Sequence, residues 1–128
     1  MNKRVGILTG GGDVQPLNSV ISQIKIQAKR ENIEVYGFLN GWKGIIENNF
    51  IDLSKISIPK NIGGTILRSS RVNLKNIENS SQIILENLKR LNISYLIVIG
   101  GEDTLSNSFL IMDFPQILIS KTIDNDVG

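Results

Sequence analysis

The succession of segments predicts an α/β fold, a parallel sheet with helices on both faces. Three observations carry that expectation. Short apolar runs alternate with longer stretches of helical periodicity along the 128 residues. The run Tyr95 to Ile99 is apolar and rich in β-branched residues, as a strand covered on both faces requires. Glycine-rich or acidic segments follow three of the predicted strands, and in open parallel sheets ligands gather at the carboxyl ends of the strands.

Taken in order, Val5 to Leu8 reads as a short buried strand ended by Gly10-Gly11-Gly12. Leu17, Ile21, Ile24 and Ala28 recur at helical spacing, and Pro16 suits a first helical turn, where its missing N–H is not needed. Glu34 to Leu39 reads as a second strand, Gly41-Trp42-Lys43-Gly44 as a turn leading into about one helical turn, and Phe50 to Leu53 as a short strand. Gly63-Gly64-Thr65 opens a polar loop that runs to Arg71. Ser80 to Leu91 predicts a long helix with Ile84, Leu88 and Leu91 on one face. The strand Tyr95 to Ile99 ends at Gly100-Gly101, Thr104 to Met112 predicts a short helix, and Gln116 to Ile119 a last strand. No repeat or Pro/Ser-rich linker divides the chain, so residues 1–128 are expected to form one domain.

Composition removes several kinds of chemistry. With no Cys there is no disulfide framework, thiolate nucleophile or Cys-based zinc site. With no His, acid–base work near neutral pH falls to a carboxylate or a Lys. Fourteen basic residues against 12 acidic ones, without a basic stripe, give no nucleic-acid footprint. The apolar run at the N-terminus breaks at Gly10, too soon for a secretory signal, and no apolar stretch reaches membrane-span length. These readings lead to the expectation of a cytoplasmic protein with no membrane or nucleic-acid partner.

Four polar loops are candidates for function. In Thr9-Gly10-Gly11-Gly12-Asp13, glycines let backbone N–H groups approach a phosphate; the same run also serves as a tight strand-to-helix turn. It matches neither Gly-x-Gly-x-x-Gly nor a P-loop. In Gly100-Gly101-Glu102-Asp103-Thr104, adjacent carboxylates suit Mg²⁺; taken alone, the loop reads rather as an acidic helix start. In Thr122-Ile123-Asp124-Asn125-Asp126, residues two apart in extended chain face one way, which suits a base and its orienter; an Asx turn would use the same residues. Lys121 beside them is a phosphate ligand or a solvated charge. Arg68 and Arg71, among small hydroxyl residues, suit a phosphoryl clamp or an ordinary cationic surface.

Taken together, Thr9 to Asn18, Gly63 to Arg71, Gly100 to Thr104 and Lys121 to Asp126 closely resemble the 6-phosphofructokinase family in order and spacing, over the whole chain. The resemblance implies the Rossmann-like, donor-binding N-terminal part of a glycolytic phosphotransferase. Gly11, Arg71, Val72, Gly101, Glu102, Asp103, Thr104 and Lys121 would then form the donor site. Glu102 and Asp103 would meet Mg²⁺, and Arg71 the transferring phosphoryl group. Asp124 would take the proton of the sugar 1-hydroxyl, with Asp126 supporting it and Thr122 contacting substrate. Transfer that rests on positioning and charge neutralisation, with a carboxylate as proton acceptor, also accounts for the missing His.

Asp103 and Lys121 resemble the pyrophosphate-using members, where ATP-using ones typically carry Gly. A carboxylate at position 103 would repel the α-phosphate of ATP. The expected substrates are therefore pyrophosphate and fructose 6-phosphate; the alternatives are ATP as donor, or an inactive phosphate-binding fragment. Lipid and NAD kinases share only the middle motif. Gln15-Pro16 stands where the family usually has Pro-Gly, and Ser120 where it has Pro or Gly. Ser22 and Ile26 replace arginines that bind an effector in regulated bacterial members, which implies no such control here. Family members are much longer, so the resemblance implies an absent sugar-phosphate half, an inactive isolated chain and a homo-oligomeric full-length form.

Overall fold

The computed structural model describes residues 3–10, 16–55 and 73–120. The chain runs β1 (Arg4–Thr9), α1 (Pro16–Arg30), β2 (Glu34–Phe38), α2 (Trp42–Ile46), β3 (Phe50–Asp52), α3 (Ser80–Arg90), β4 (Tyr95–Gly100), α4 (Glu102–Asn107) and β5 (Gln116–Ser120). Three 3-10 turns, Leu53–Lys55, Leu74–Asn76 and Ser108–Ile111, lie between them. Among the described residues the strands form one sheet in the order β3-β2-β1-β4-β5.

Alternation along the strands builds two apolar layers. Leu8, Phe38, Leu96 and Val98 face one side, where they pack with Trp42, Ile45, Ile84, Leu88 and Ile111. Val5, Ile7, Val35, Ile97 and Ile99 face the other and meet Ile21, Ala28 and Leu53. Both faces of β1 and β4 are thus covered, and burying one such aliphatic side chain stabilises the fold by about 1.5–3 kcal/mol. The predicted apolar stripe of α1 is seen in Ile21 and Ala28, both buried, with Ile24 packed beside them; the Leu17 side chain lies outside the described set.

β1 pairs in parallel with β2 on one side and with β4 on the other. From β1 the chain passes through α1 to β2 in one direction, and later through α3 to β4 in the opposite direction. Right-handed crossovers in opposite directions must use opposite faces, and α1 and α3 do lie on opposite layers. The gap between the carboxyl ends of β1 and β4 is therefore the switch point of the winding.

Two details differ from the expectation. The sheet is not wholly parallel, because β3 runs antiparallel to β2, with Phe38 opposite Phe50. The link between them is short and returns to the sheet end it left, closed by Leu39 N–H donating to the Asn49 carbonyl (3.0 Å); a parallel return needs a longer crossover. Phe50 then stacks on Tyr36, ring centroids 4.9 Å apart. The helix expected from Thr104 begins instead at Glu102 and gives way to a 3-10 turn at Ser108. Leu105 N–H donates to the Gly101 carbonyl (3.0 Å), so both acidic residues belong to the first helical turn, where the helix dipole favours negative charge.

Three helices end alike. Asn32, Asn48 and Asn92 adopt left-handed φ of 59°, 57° and 58°. After each, the next amide reaches back to the last helical turn: Ile33 to Ala28, Asn49 to Gly44 and Ile93 to Leu88. This is the Schellman closure, with Asn in the place Gly usually holds.

Arg4 ties the opposite sheet edge together. Its guanidinium pairs with Glu34 (2.6 Å), donates to the Leu91 carbonyl (2.6 Å) and lies 4.4 Å from the Tyr36 ring centroid.

Candidate functional site

At the switch point, Thr9 is in register with Ile99, and Gly10 N–H continues the ladder to the Ile99 carbonyl (2.9 Å). Gly10 and Gly100 thus end adjacent strands side by side. Between and above them sits the buried side chain of Thr104. A Cβ on Gly10 would lie 2.9 Å from Thr104 Cγ2, and one on Gly100 would lie 2.8 Å from Thr104 Cβ and 2.9 Å from the Gly10 carbonyl oxygen. Glycine is required at both positions because α4 approaches the strand ends this closely.

α4 is held from three directions. The Trp42 indole N–H donates to the Thr104 carbonyl (3.0 Å) in a buried bond. Leu74 N–H donates to Asn107 Oδ1 (3.3 Å), and Gln116 Nε2 donates to the Ser108 and Ile111 carbonyls (3.2 and 3.1 Å) just beyond the helix. Leu74 lies three positions after Arg71 in sequence. At the start of α4, Gly101 precedes the helix in extended conformation and, having no side chain, caps none of its first amides. Glu102 and Asp103 are both exposed there.

Of the sequence-derived site residues, the structure describes Gly101, Glu102, Asp103 and Thr104, and places them together at the carboxyl edge of β4 beside the end of β1. Gly101 is partly exposed, whereas the Thr104 side chain is turned into the glycines. Gly11, Arg71, Val72, Lys121, Thr122, Asp124 and Asp126 lie outside the described residues. The last four follow β5, which is parallel to β4, so they continue from a strand ending at the same edge.

Sequence reading treated Gly41 and Trp42 only as a turn. Gly41 has φ 63° and ψ −138°, and a Cβ on it would lie 3.1 Å from the Thr9 carbonyl oxygen. Trp42 is buried. The available signal was a lone Trp beside Gly, since a buried indole N–H seeks an acceptor. Asn107 was missed for want of any local signal.

Mg²⁺ favours one or two carboxylates completed by phosphate oxygens and water. Two adjacent exposed carboxylates fit that pattern. Among the described residues no three acidic, His or Cys side chains gather into a protein-only cage. An open groove of about 770 Å³ lined by Lys3, Arg4, Lys89 and Phe114 lies at the opposite, amino edge of the sheet, away from these loops.

The described strands and helices define a doubly wound α/β fold whose switch point lies between β1 and β4. The chain belongs to the phosphofructokinase family, whose model matches residues 4–128. It is 43% identical over 128 residues to the pyrophosphate–fructose 6-phosphate 1-phosphotransferase of Dictyoglomus thermophilum, covering 97% of this chain and 37% of that protein. It is 38% identical over 140 residues to the enzyme of the same name from Thermotoga maritima (99% and 33% covered). It is also 38% identical over 132 residues to an ATP-dependent 6-phosphofructokinase of Buchnera aphidicola (100% and 41% covered). The chain thus spans between 33% and 41% of the length of these relatives. In fold it is similar to Pichia pastoris phosphofructokinase (TM-score 0.80, 18% identity, 100% of this chain and 16% of that one). It is similar too to a pyrophosphate-dependent phosphofructokinase of Marinobacter aquaeolei (TM-score 0.73, 20% identity, 92% and 32%). No helix among the described residues is long and apolar enough to cross a membrane.

Proposed function

We propose that residues 1–128 are the donor-binding N-terminal domain of a cytoplasmic pyrophosphate–fructose 6-phosphate phosphotransferase. The observation that carries this reading is the exposed Glu102–Asp103 pair on the first turn of α4, beside Gly10 at the switch point.

In this reading backbone N–H groups at Gly11, Val72, Gly101 and Thr104 receive pyrophosphate, with Lys121 and Arg71 matching its charge. Glu102 and Asp103 would hold Mg²⁺, which when bound would supply charge neutralisation at the phosphoryl oxygens. Asp124 accepts the proton of the sugar 1-hydroxyl as that oxygen bonds to phosphorus. The bond from phosphorus to the bridging oxygen breaks and orthophosphate leaves. Asp126 keeps Asp124 oriented, Thr122 contacts the sugar phosphate, and Arg71 follows the phosphoryl group. The sugar-phosphate clamp belongs to the remaining length of the relatives, so the 128 residues alone bind donor without turnover, and the complete enzyme assembles as a homo-oligomer.

Pyrophosphate is read as the preferred donor because the exposed Asp103 carboxylate would repel the α-phosphate of an ATP bound at this helix start. The test is a coupled assay of the complete reading frame with fructose 6-phosphate and each donor. Pyrophosphate-driven, Mg²⁺-dependent turnover supports the reading. Turnover with ATP alone would establish the second reading, an ATP-dependent 6-phosphofructokinase, favoured by the likeness to the Buchnera enzyme.

A further inference from the structure

α2 has five residues, and the glycine before it, at a positive φ of 63°, offers no side-chain cap. So short a helix has little stability of its own, yet both of its ends are fixed. Asn87 Nδ2 on α3 donates to the carbonyl of Ile45 (2.8 Å) at its end. At its start Trp42 is 3% exposed, and its indole N–H donates to the Thr104 carbonyl. One residue earlier, Gly41 lies against the Thr9 carbonyl. Residues 41 and 42 therefore touch the last residue of β1 and the first turn of α4, the two segments that lead into the glycine and acidic loops.

We infer that Trp42 is a positioning residue of the donor site: its N–H sets the first turn of α4 so that Glu102 and Asp103 stand beside Gly10. The inference deepens the donor-site reading above and rests on it for the identity of the ligand. Trp42 is buried, so its proposed effect is indirect. It acts through the Thr104 backbone, which fixes the direction of the two preceding carboxylates. A buried indole needs an acceptor, and the Thr104 carbonyl is the one this packing supplies. Packing alone would tolerate another large apolar ring, so the N–H is the group that distinguishes positioning from filling.

Trp42 is the only Trp of the 128 residues, so replacing tryptophan biosynthetically with its benzothienyl isostere changes this site alone. That isostere exchanges N–H for sulfur and leaves the ring volume nearly unchanged. Hydrogen exchange followed by mass spectrometry is read on peptides spanning residues 101–107 and on peptides from β1 and β4. Loss of the bond should accelerate exchange in 101–107 about tenfold and leave the central strands unchanged. Calorimetric titration with magnesium pyrophosphate should show affinity lowered by about the same factor. Trp42→Phe, which also lacks the N–H, serves as the second variant should the substituted chain fail to fold.

Unchanged exchange in 101–107 would overturn the inference, as would equal acceleration in the central strands, which marks general loosening. Faster exchange with unaltered pyrophosphate affinity would overturn it as well. If the unsubstituted chain binds no pyrophosphate, the donor reading falls, and the exchange comparison still decides whether Trp42 holds α4.

Discussion

Gly10 and Thr104 approach each other so closely that a methyl group on Gly10 would lie 2.9 Å from Thr104 Cγ2. The obstructing group is a short, buried β-branched side chain, so it cannot swing aside. Gly10→Ala should therefore push α4 off the strand ends and destabilise the chain by about 1–3 kcal/mol. Thr104→Ala removes Cγ2 and the hydroxyl and should return part of that loss. A double-mutant cycle by urea unfolding checks the pair, and strictly additive effects would contradict the contact.

Arg4 makes three different interactions, with Glu34, the Leu91 carbonyl and the Tyr36 ring. A Lys in its place keeps the charge but loses the planar fork and the stacking. The ion pair is partly exposed and contributes little by itself. The carbonyl bond and the ring contact set the expected loss for Arg4→Lys at about 1–2 kcal/mol. Since the charge is conserved, that loss should persist in high salt, which separates it from screened attraction.

The left-handed helix ends are open to improvement. Asn tolerates positive φ better than most residues, but glycine adopts it without a Cβ penalty. Asn32→Gly and Asn92→Gly are each expected to stabilise the fold by roughly 0.5 kcal/mol. Thermal unfolding of the double variant should show a raised midpoint. A lowered one would mean that the Asn side chains contribute more than their backbone geometry implies.

Donor choice is tested by charge removal in the complete reading frame. Asp103→Gly combined with Lys121→Gly should raise ATP-driven turnover relative to pyrophosphate-driven turnover. An unmoved ratio would detach Asp103 from donor discrimination.

As the proposed proton acceptor, Asp124 should be hard to replace. Asp124→Asn keeps shape and removes basicity, and loss of a general base typically lowers rate by about 10²–10⁴-fold. The effect should fall on kcat, with KM for fructose 6-phosphate nearly unchanged. Normal turnover would remove Asp124 from the mechanism.

Most of the fold could be read from periodicity, because β1, β4, α1 and α3 are long enough to show it. The direction of β3 could not, since Phe50 to Asp52 pairs antiparallel through a link whose geometry depends on the Leu39–Asn49 closure. The start of α4 was misplaced because Glu102 and Asp103 look polar enough for a loop, while a helix N-terminus favours the same charges. The neighbourhood of Gly101, Glu102 and Asp103 followed from parallel strand order. The contributions of Trp42 and Asn107 did not, as each depends on a contact between residues far apart in sequence.

β1 is flanked on both sides, and its two neighbours are synthesised at very different times. β2 follows after a single helix, whereas β4 must wait for α2, β3 and α3 to be made. At usual elongation rates of about 5–20 residues per second, that interval is on the order of 3–12 s. Throughout it, the nascent chain presents Val5 to Thr9 with one row of peptide groups not yet paired with a strand and an apolar surface uncovered. The most vulnerable moment in the life of this domain therefore falls on the ribosome, before Tyr95 has emerged from the exit tunnel. Synonymous changes that slow translation between codons 50 and 95 should lengthen that exposure and lower soluble yield without altering a single residue.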